Sequence, residues 1–179
     1  MPSAYQPKNL KIVLHPNPRL RKISLEIPAE EIQKEKFQEL LLDMAETMRN
    51  KDGAGLAAPQ IGKNIRLIVI AAEKKPIFMI NPRLTKKSWA KEVEDEGCLS
   101  VLNKEGEILY GPVERYKKIN CSYLDQTGKA RKIAATKLFA RVIQHEIDHL
   151  DGVLFIDKIV GNKKLLAYQP AAGQSPHNF

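Results

Sequence analysis

A chain of 179 residues has the size of one ordinary domain and can bury a sizeable core without covalent staples. It is 43% hydrophobic and 28% charged, a globular composition, and no apolar run approaches the roughly 20 residues that a membrane helix needs. The formal charge of +8 falls on scattered doublets (Lys74-Lys75, Lys86-Lys87, Lys117-Lys118, Lys163-Lys164) with acids between them, which predicts a basic-biased surface rather than specific nucleic-acid binding.

The opening MPSAYQPKNL has neither the basic-then-apolar pattern of a signal peptide nor the Arg-rich character of a transit peptide, so a cytoplasmic location is expected. From Pro28 to about Lys51, Ile32, Phe37, Leu40, Leu41, Met44 and Met48 recur at helical spacing, with Pro28 placed to open the helix. KDGAGLAAPQIG (51–62) is too rich in Gly and Ala, and too interrupted by Pro59, for a regular element, so it reads as a loop. Ile65–Ala71 and Ile77–Ile80 are β-branched runs ended by charge, by Pro76 and by an Asn81-Pro82 turn, which predicts two strands. Lys117–Leu124 and Gly128–Ala134 flank DQTG and predict a hairpin. A last helix is expected from near Thr136 to Leu150, apolar through Leu138, Val142, Ile143, Ile147 and Leu150, with Gly152 as its stop. The tail after Val160 shows no periodicity and is expected to be irregular, within a single domain spanning 1–179. The pattern predicts an α+β fold, with antiparallel β-sheets packed around the C-terminal helix and one N-terminal helix.

That last helix carries the first chemical signal, QHEIDHLDG (144–152). His145 and His149 stand four residues apart, on one helical face, and can aim ring nitrogens at one point. Glu146 between them has the position of a general base beside a metal-bound water. Alone, such a match is more often a solvated helix face, and a catalytic site needs a third protein ligand plus an open position. Phe155 occupies the place where an extended protease motif would have its third His, and no Glu follows Glu146. Upstream, Cys98 in DEGCLS is the best donor, with Gly97 allowing close backbone approach. Cys121 is the rival but alternates with Ile119 and Tyr123 as a strand residue would; His15 and His177 lie near the termini and read as solvated or capping residues. A zinc endopeptidase, or a closed structural zinc site using Cys121 as fourth ligand, are the alternatives.

GAGLAAPQ (53–60), EGCLS (96–100) and QHEIDHLDG (144–152) together resemble the three signature motifs of the peptide deformylases, in that family's order and at similar spacing. The resemblance covers roughly residues 10–158. It implies a metal-dependent hydrolase that removes the N-formyl group from the initiator methionine of nascent polypeptides. Fe²⁺ would be the native metal, with Zn²⁺, Ni²⁺ or Co²⁺ as substitutes. It further implies that Cys98, His145 and His149 bind the metal and that Glu146 moves the proton, while the Gln60 amide and the Leu99 N–H stabilise the developing oxyanion. Ala54, Gly55, Leu99 and Val142 are expected near the substrate from their proximity to the motifs. The partners implied are N-formylmethionyl peptides, met in transient proximity to the ribosome, although the tail lacks the long helical extension that some bacterial members use there. The chain departs from the family after EGCLS, where Val101-Leu102-Asn103-Lys104-Glu105-Gly106 runs longer than usual and is expected to alter the rim of the cleft.

Overall fold

The computed structural model describes residues 5–161 and 165–167. Its regular elements are the one-turn helix α1 (Ala29–Ile32), helix α2 (Glu35–Asn50), strands β1 (Gly55–Ala57), β2 (Leu67–Ile70), β3 (Ile77–Lys87), β4 (Lys91–Leu102), β5 (Ile108–Tyr116), β6 (Lys118–Leu124) and β7 (Ala130–Thr136), helix α3 (Lys137–Leu150) and the short β8 (Leu166–Ala167). Three 3₁₀ turns lie at Pro18–Arg21, Ala58–Ile61 and Phe155–Lys158. Every strand pairing is antiparallel; β1-β2-β3-β6-β7 form one sheet and β4-β5-β8 a second. The α+β expectation holds.

Alternation along β2 explains how the helices pack. Leu67 and Val69 join the cluster of α2 residues Phe37, Leu41, Met44 and Met48, whereas Ile68 and Ile70 join α3 residues Ile143, Ile147 and Leu150. Successive strand side chains point to opposite faces, so the larger sheet carries α2 on one face and α3 on the other. A strand covered on both sides can be apolar at every position, as LIVI is. A third cluster, Leu20, Cys98, Val101, Val113, Leu154 and Phe155, joins the second sheet to the chain that leaves α3.

Several sequence expectations are corrected. The helix expected from Pro28 to Lys51 is broken: Pro28 caps α1, and Lys34 is extended before α2 begins. The Gln38 amide donates to Ile32 O at 2.6 Å, which satisfies a carbonyl exposed by the break. The 51–62 loop contains β1, whose Gly55–Ala57 pair with Ile70–Ile68, and the 3₁₀ turn that carries Gln60. The strand beginning at Ile77 does not stop at Asn81-Pro82. Asn81 takes φ 51° and its side chain bonds Ile27 N and O, each at 2.9 Å, so the pair forms a bulge within β3 instead of an end. Strands β4 and β5 went unforeseen because KEVEDEGCLSVL is mostly exposed at its charged start and shows no clean alternation there. In the tail, Leu166 and Ala167 pair with Tyr110 and Leu109; residues 168–179 lie outside the described residues.

The hairpin and the last helix appear where expected. Leu124 pairs with Ala130 across the turn. Gly152, at φ 73°, closes α3: its N–H bonds His149 O at 3.2 Å, and Val153 N–H bonds Asp148 O at 2.9 Å. This is the left-handed cap that satisfies two carbonyls of the last turn.

Candidate active site

α3 delivers His145 and His149 one turn apart, their ring centroids 5.0 Å from each other in a T-shaped arrangement. His145 Nδ1 lies 3.0 Å from Glu96 Oε2, which orients the ring and leaves Nε2 for another partner. His149 Nε2 lies 3.3 Å from Cys98 Sγ. The ligand atoms of Cys98, His145 and His149 all fall within 4.8 Å of one another, and among the described residues no other His, Cys, Asp or Glu joins the group.

Cys98 reaches this position through an irregularity in β4. The β4–β5 register is regular from Lys91↔Tyr116 to Gly97↔Tyr110 and resumes only at Leu102↔Ile108. Such a bulge re-aims side chains. Gly97 is required there, since an added Cβ would run into the Tyr110 ring. The sulfur is approached by Ser100 N–H at 3.4 Å and by Gln60 Nε2 at 3.5 Å. Gln60 itself is 2% exposed, and its Oε1 accepts from Ala57 N–H at 2.8 Å, so its amide nitrogen is turned toward the cluster.

Glu146 is buried, and its Oε2 has no hydrogen-bond partner among the described residues. Burial pushes its pKa up to about 7, more than the neighbouring His145 lowers it. A Cβ on Gly55 would sit 2.5 Å from Glu146 Oε1, so only glycine lets the backbone pass this close. A cavity of about 220 Å³ opens onto the cluster, and Ala54, Gly55, Leu99, Tyr110 and Val142 help to line it. Tyr110 belongs to β5, immediately after the segment in which this chain departs from the motif pattern.

Behind the cluster lies a charged network that sequence reasoning missed. Glu96, buried, accepts from Arg115 Nε and Nη2, each at 2.8 Å, and from Arg141 Nη1 at 2.8 Å. Arg115 also bonds Asp148, which in turn receives Lys158 Nζ at 2.7 Å. Burial raises the Glu96 pKa, but Arg115 and His145 outweigh it and hold the carboxyl well below the usual carboxylate range. Burial acts to lower the His145 pKa, yet bonds to Cys98 and Glu96 carry it well above the ordinary imidazole value; His149, buried beside His145, is pushed well below. Periodicity puts two of the network's members on the faces of cluster residues but does not pair them. Glu96 is two residues from Cys98 along a strand, and Arg141 is four residues from His145 along a helix, so each shares a face with a cluster residue.

The remaining candidates lie outside the ligand group. Cys121 is fully buried in β6 among Ile119, Ile143 and their neighbours, and burial pushes its thiol up to about 11. Phe155 packs against His145 with ring centroids 6.2 Å apart. His15 is exposed, and its N–H bonds Ser100 O at 2.8 Å; His177 is outside the described residues.

A family model described as polypeptide deformylase matches residues 9–165. A peptide deformylase of Dictyoglomus thermophilum is 44% identical over 138 residues, covering 76% of this chain and 86% of that protein. The crystal structure of the Thermotoga maritima peptide deformylase superimposes with a TM-score of 0.79 at 35% identity, covering 86% of this chain and 99% of that one. The class I type b enzyme of Acinetobacter baumannii, solved with Met-Ala-Ser bound, gives a TM-score of 0.80 at 29% identity, with 86% and 100% covered.

Proposed function

The chain belongs to the polypeptide deformylase family, and from that premise we propose how its own residues carry out the family's reaction. The enzyme is a metal-dependent hydrolase that removes the N-formyl group from nascent polypeptides, releasing formate and a methionyl peptide. We assign the metal to Cys98, His145 and His149. A thiolate with two imidazoles suits first-row ions, and we take Fe²⁺ as the native one, with Zn²⁺, Ni²⁺ or Co²⁺ able to replace it. Two observations support the fit: the three donors converge in a buried pocket, and Glu96 holds His145 Nδ1 so that Nε2 faces the other donors. When bound, the ion supplies Lewis acidity toward the formyl oxygen and toward water.

Glu146 then takes the proton of the attacking water and returns it to the leaving amine, a role that suits a carboxylate with an oxygen that has no partner among the described residues and a pKa near neutrality. The Gln60 amide and the Leu99 backbone N–H face the charge that develops on the formyl oxygen; losing one such donor costs about 10²- to 10³-fold in rate. Ala54, Gly55 and Leu99 contact the substrate at the wall of the cavity, and a cramped site beside the metal would select the small formyl group over an acetyl group. The Acinetobacter baumannii enzyme holds Met-Ala-Ser, and in this chain we read the cavity beside Leu99, Tyr110 and Val142 as the recess for the methionine side chain. The endopeptidase alternative is not favoured, because Phe155 is core packing and no Glu follows Glu146.

We take residues 1–179 as one catalytic domain acting in the cytoplasm, near the ribosome where nascent chains emerge. No helix among the described residues is long and apolar enough to cross a membrane. The observation that carries the proposal is the buried convergence of Cys98 Sγ with both α3 imidazoles, next to a carboxylate oxygen that has no partner among the described residues. Anaerobically purified protein, assayed on a formyl-Met tripeptide with metal measured in the same sample, tests it. Cys98→Ala is expected to empty the site and Cys121→Ala to keep the metal; the reverse result overturns the ligand assignment.

A further inference from the structure

The fold gathers on one corner what the sequence scatters. Lys86 and Lys87 end β3, Lys91 opens β4, Lys117 and Lys118 join β5 to β6, and Lys137 opens α3. Ser88 N–H donates to Lys118 O at 2.9 Å, Lys117 N–H to Ala90 O at 3.0 Å, and Lys137 N–H to Lys117 O at 3.1 Å, which ties these segments together. All six lysines are exposed. Lys91 pairs with Glu114 at 2.6 Å and Lys117 with Glu92 at 3.6 Å; the other four have no carboxylate partner among the described residues. Between Lys87 and Lys91 stands Trp89, the single tryptophan of the chain, 103% exposed.

An indole left wholly in water adds nothing to the packing of its own fold, and large exposed aromatics mark contact surfaces. An unpaired base offers that indole a flat π-face, and phosphates answer the ammonium groups that pair with no carboxylate among the described residues, Lys87 among them with its Nζ 5.2 Å from the Tyr116 ring centroid. An anionic membrane would answer the charge too, but an interfacial element needs an apolar face, and Trp89 is flanked by Ser88, Ala90 and lysines. We propose that this corner binds single-stranded RNA: Trp89 stacks on a base, while Lys86, Lys87, Lys118 and Lys137 contact phosphates. Binding of this kind is independent of base sequence, because no group here reads base edges. Choosing RNA over DNA rests on the function assigned above, since a nascent polypeptide is still esterified to RNA; the binding itself does not depend on it.

Trp89 is its own reporter. Titration with a short single-stranded oligouridylate at low salt is expected to quench its emission. In Trp89→Ala the affinity for labelled oligouridylate, read by anisotropy, is expected to fall about ten-fold or more. The Lys86→Glu/Lys118→Glu pair is expected to weaken binding further and flatten its salt dependence. Turnover of a formyl-Met tripeptide stays unchanged in all of these variants, which also shows that they fold. The proposal fails if oligouridylate leaves the emission unmoved, or if Trp89→Ala binds as tightly as the parent chain. It fails in favour of a lipid surface if phosphatidylglycerol vesicles shift the emission to the blue while oligouridylate does nothing. Oligodeoxythymidylate is expected to bind with similar affinity, since neither stacking nor phosphate contacts read the 2′-hydroxyl. Protein that binds oligouridylate but releases no formate would sink the deformylase reading and leave the binding intact.

Discussion

Glu146 Oε1 lies 2.5 Å from where a Cβ on Gly55 would be, and its other oxygen has no partner among the described residues. Two predictions belong to these residues. Glu146→Gln is expected to keep its metal and lose about 10²- to 10⁴-fold in kcat, because the amide keeps the shape but cannot accept the proton. Metal analysis beside formate release checks this, and a Gln variant with near-normal turnover would remove Glu146 from the mechanism. Gly55→Ala leaves the carboxylate chemistry intact and displaces it. Misplacing a catalytic group by about 1 Å can cost around 10²-fold, so kcat is expected to drop by that order with metal content unchanged. Much at this scale was legible, because His145, Glu146 and His149 sit close together in the sequence and the helix repeat alone puts both imidazoles on one face. Glu96 was not legible as a partner of His145, since its bond spans 49 positions of chain and depends on where β4 lies.

The elements show which local signals carried through to structure and which were overridden. α3 ended at Gly152 as expected because a left-handed cap is a local requirement, and an added Cβ there would also press on Arg21 O. Asn81-Pro82, an equally good local stop, was absorbed into β3 as a bulge because Ile27 offered Asn81 a donor and an acceptor. The β6–β7 hairpin supplies a pH test. Asp125 accepts from Thr127 N and Oγ1, from Arg131 and from Lys129 N, and these bonds hold its carboxyl well below the usual range. A depressed folded-state pKa stabilises above the unfolded value of about 4, and that stability is lost as pH falls toward the folded value. Urea unfolding of the parent chain and of Asp125→Asn is therefore expected to differ at pH 7 by an amount that shrinks below about pH 4. A difference independent of pH would mean that the turn needs the hydrogen bonds but not the charge.

On the scale of the whole molecule, one carboxylate holds three pieces together. Glu96 of β4 receives Arg115 of β5 and both Arg141 and His145 of α3. Removing one member of such a buried set leaves charge uncompensated, so Arg115→Ala is expected to lower stability by about 3–5 kcal/mol in urea unfolding. Metal affinity is expected to weaken by about 10- to 100-fold, since Glu96 loses the partner that orients it toward His145. A variant of unchanged stability would show that Arg141 alone balances Glu96. By itself the sequence determined the α+β class, the hairpin, the last helix and the chemical kinds of the site, because turn residues, helix repeat and motif chemistry act over a few neighbouring positions. Only the tertiary structure decided that Glu96 joins His145 to Arg115 and that lysines 86, 87, 118 and 137 surround Trp89. The reason is sheet register: which distant residues become neighbours depends on how strands pair and where a bulge shifts them, and no local pattern encodes that.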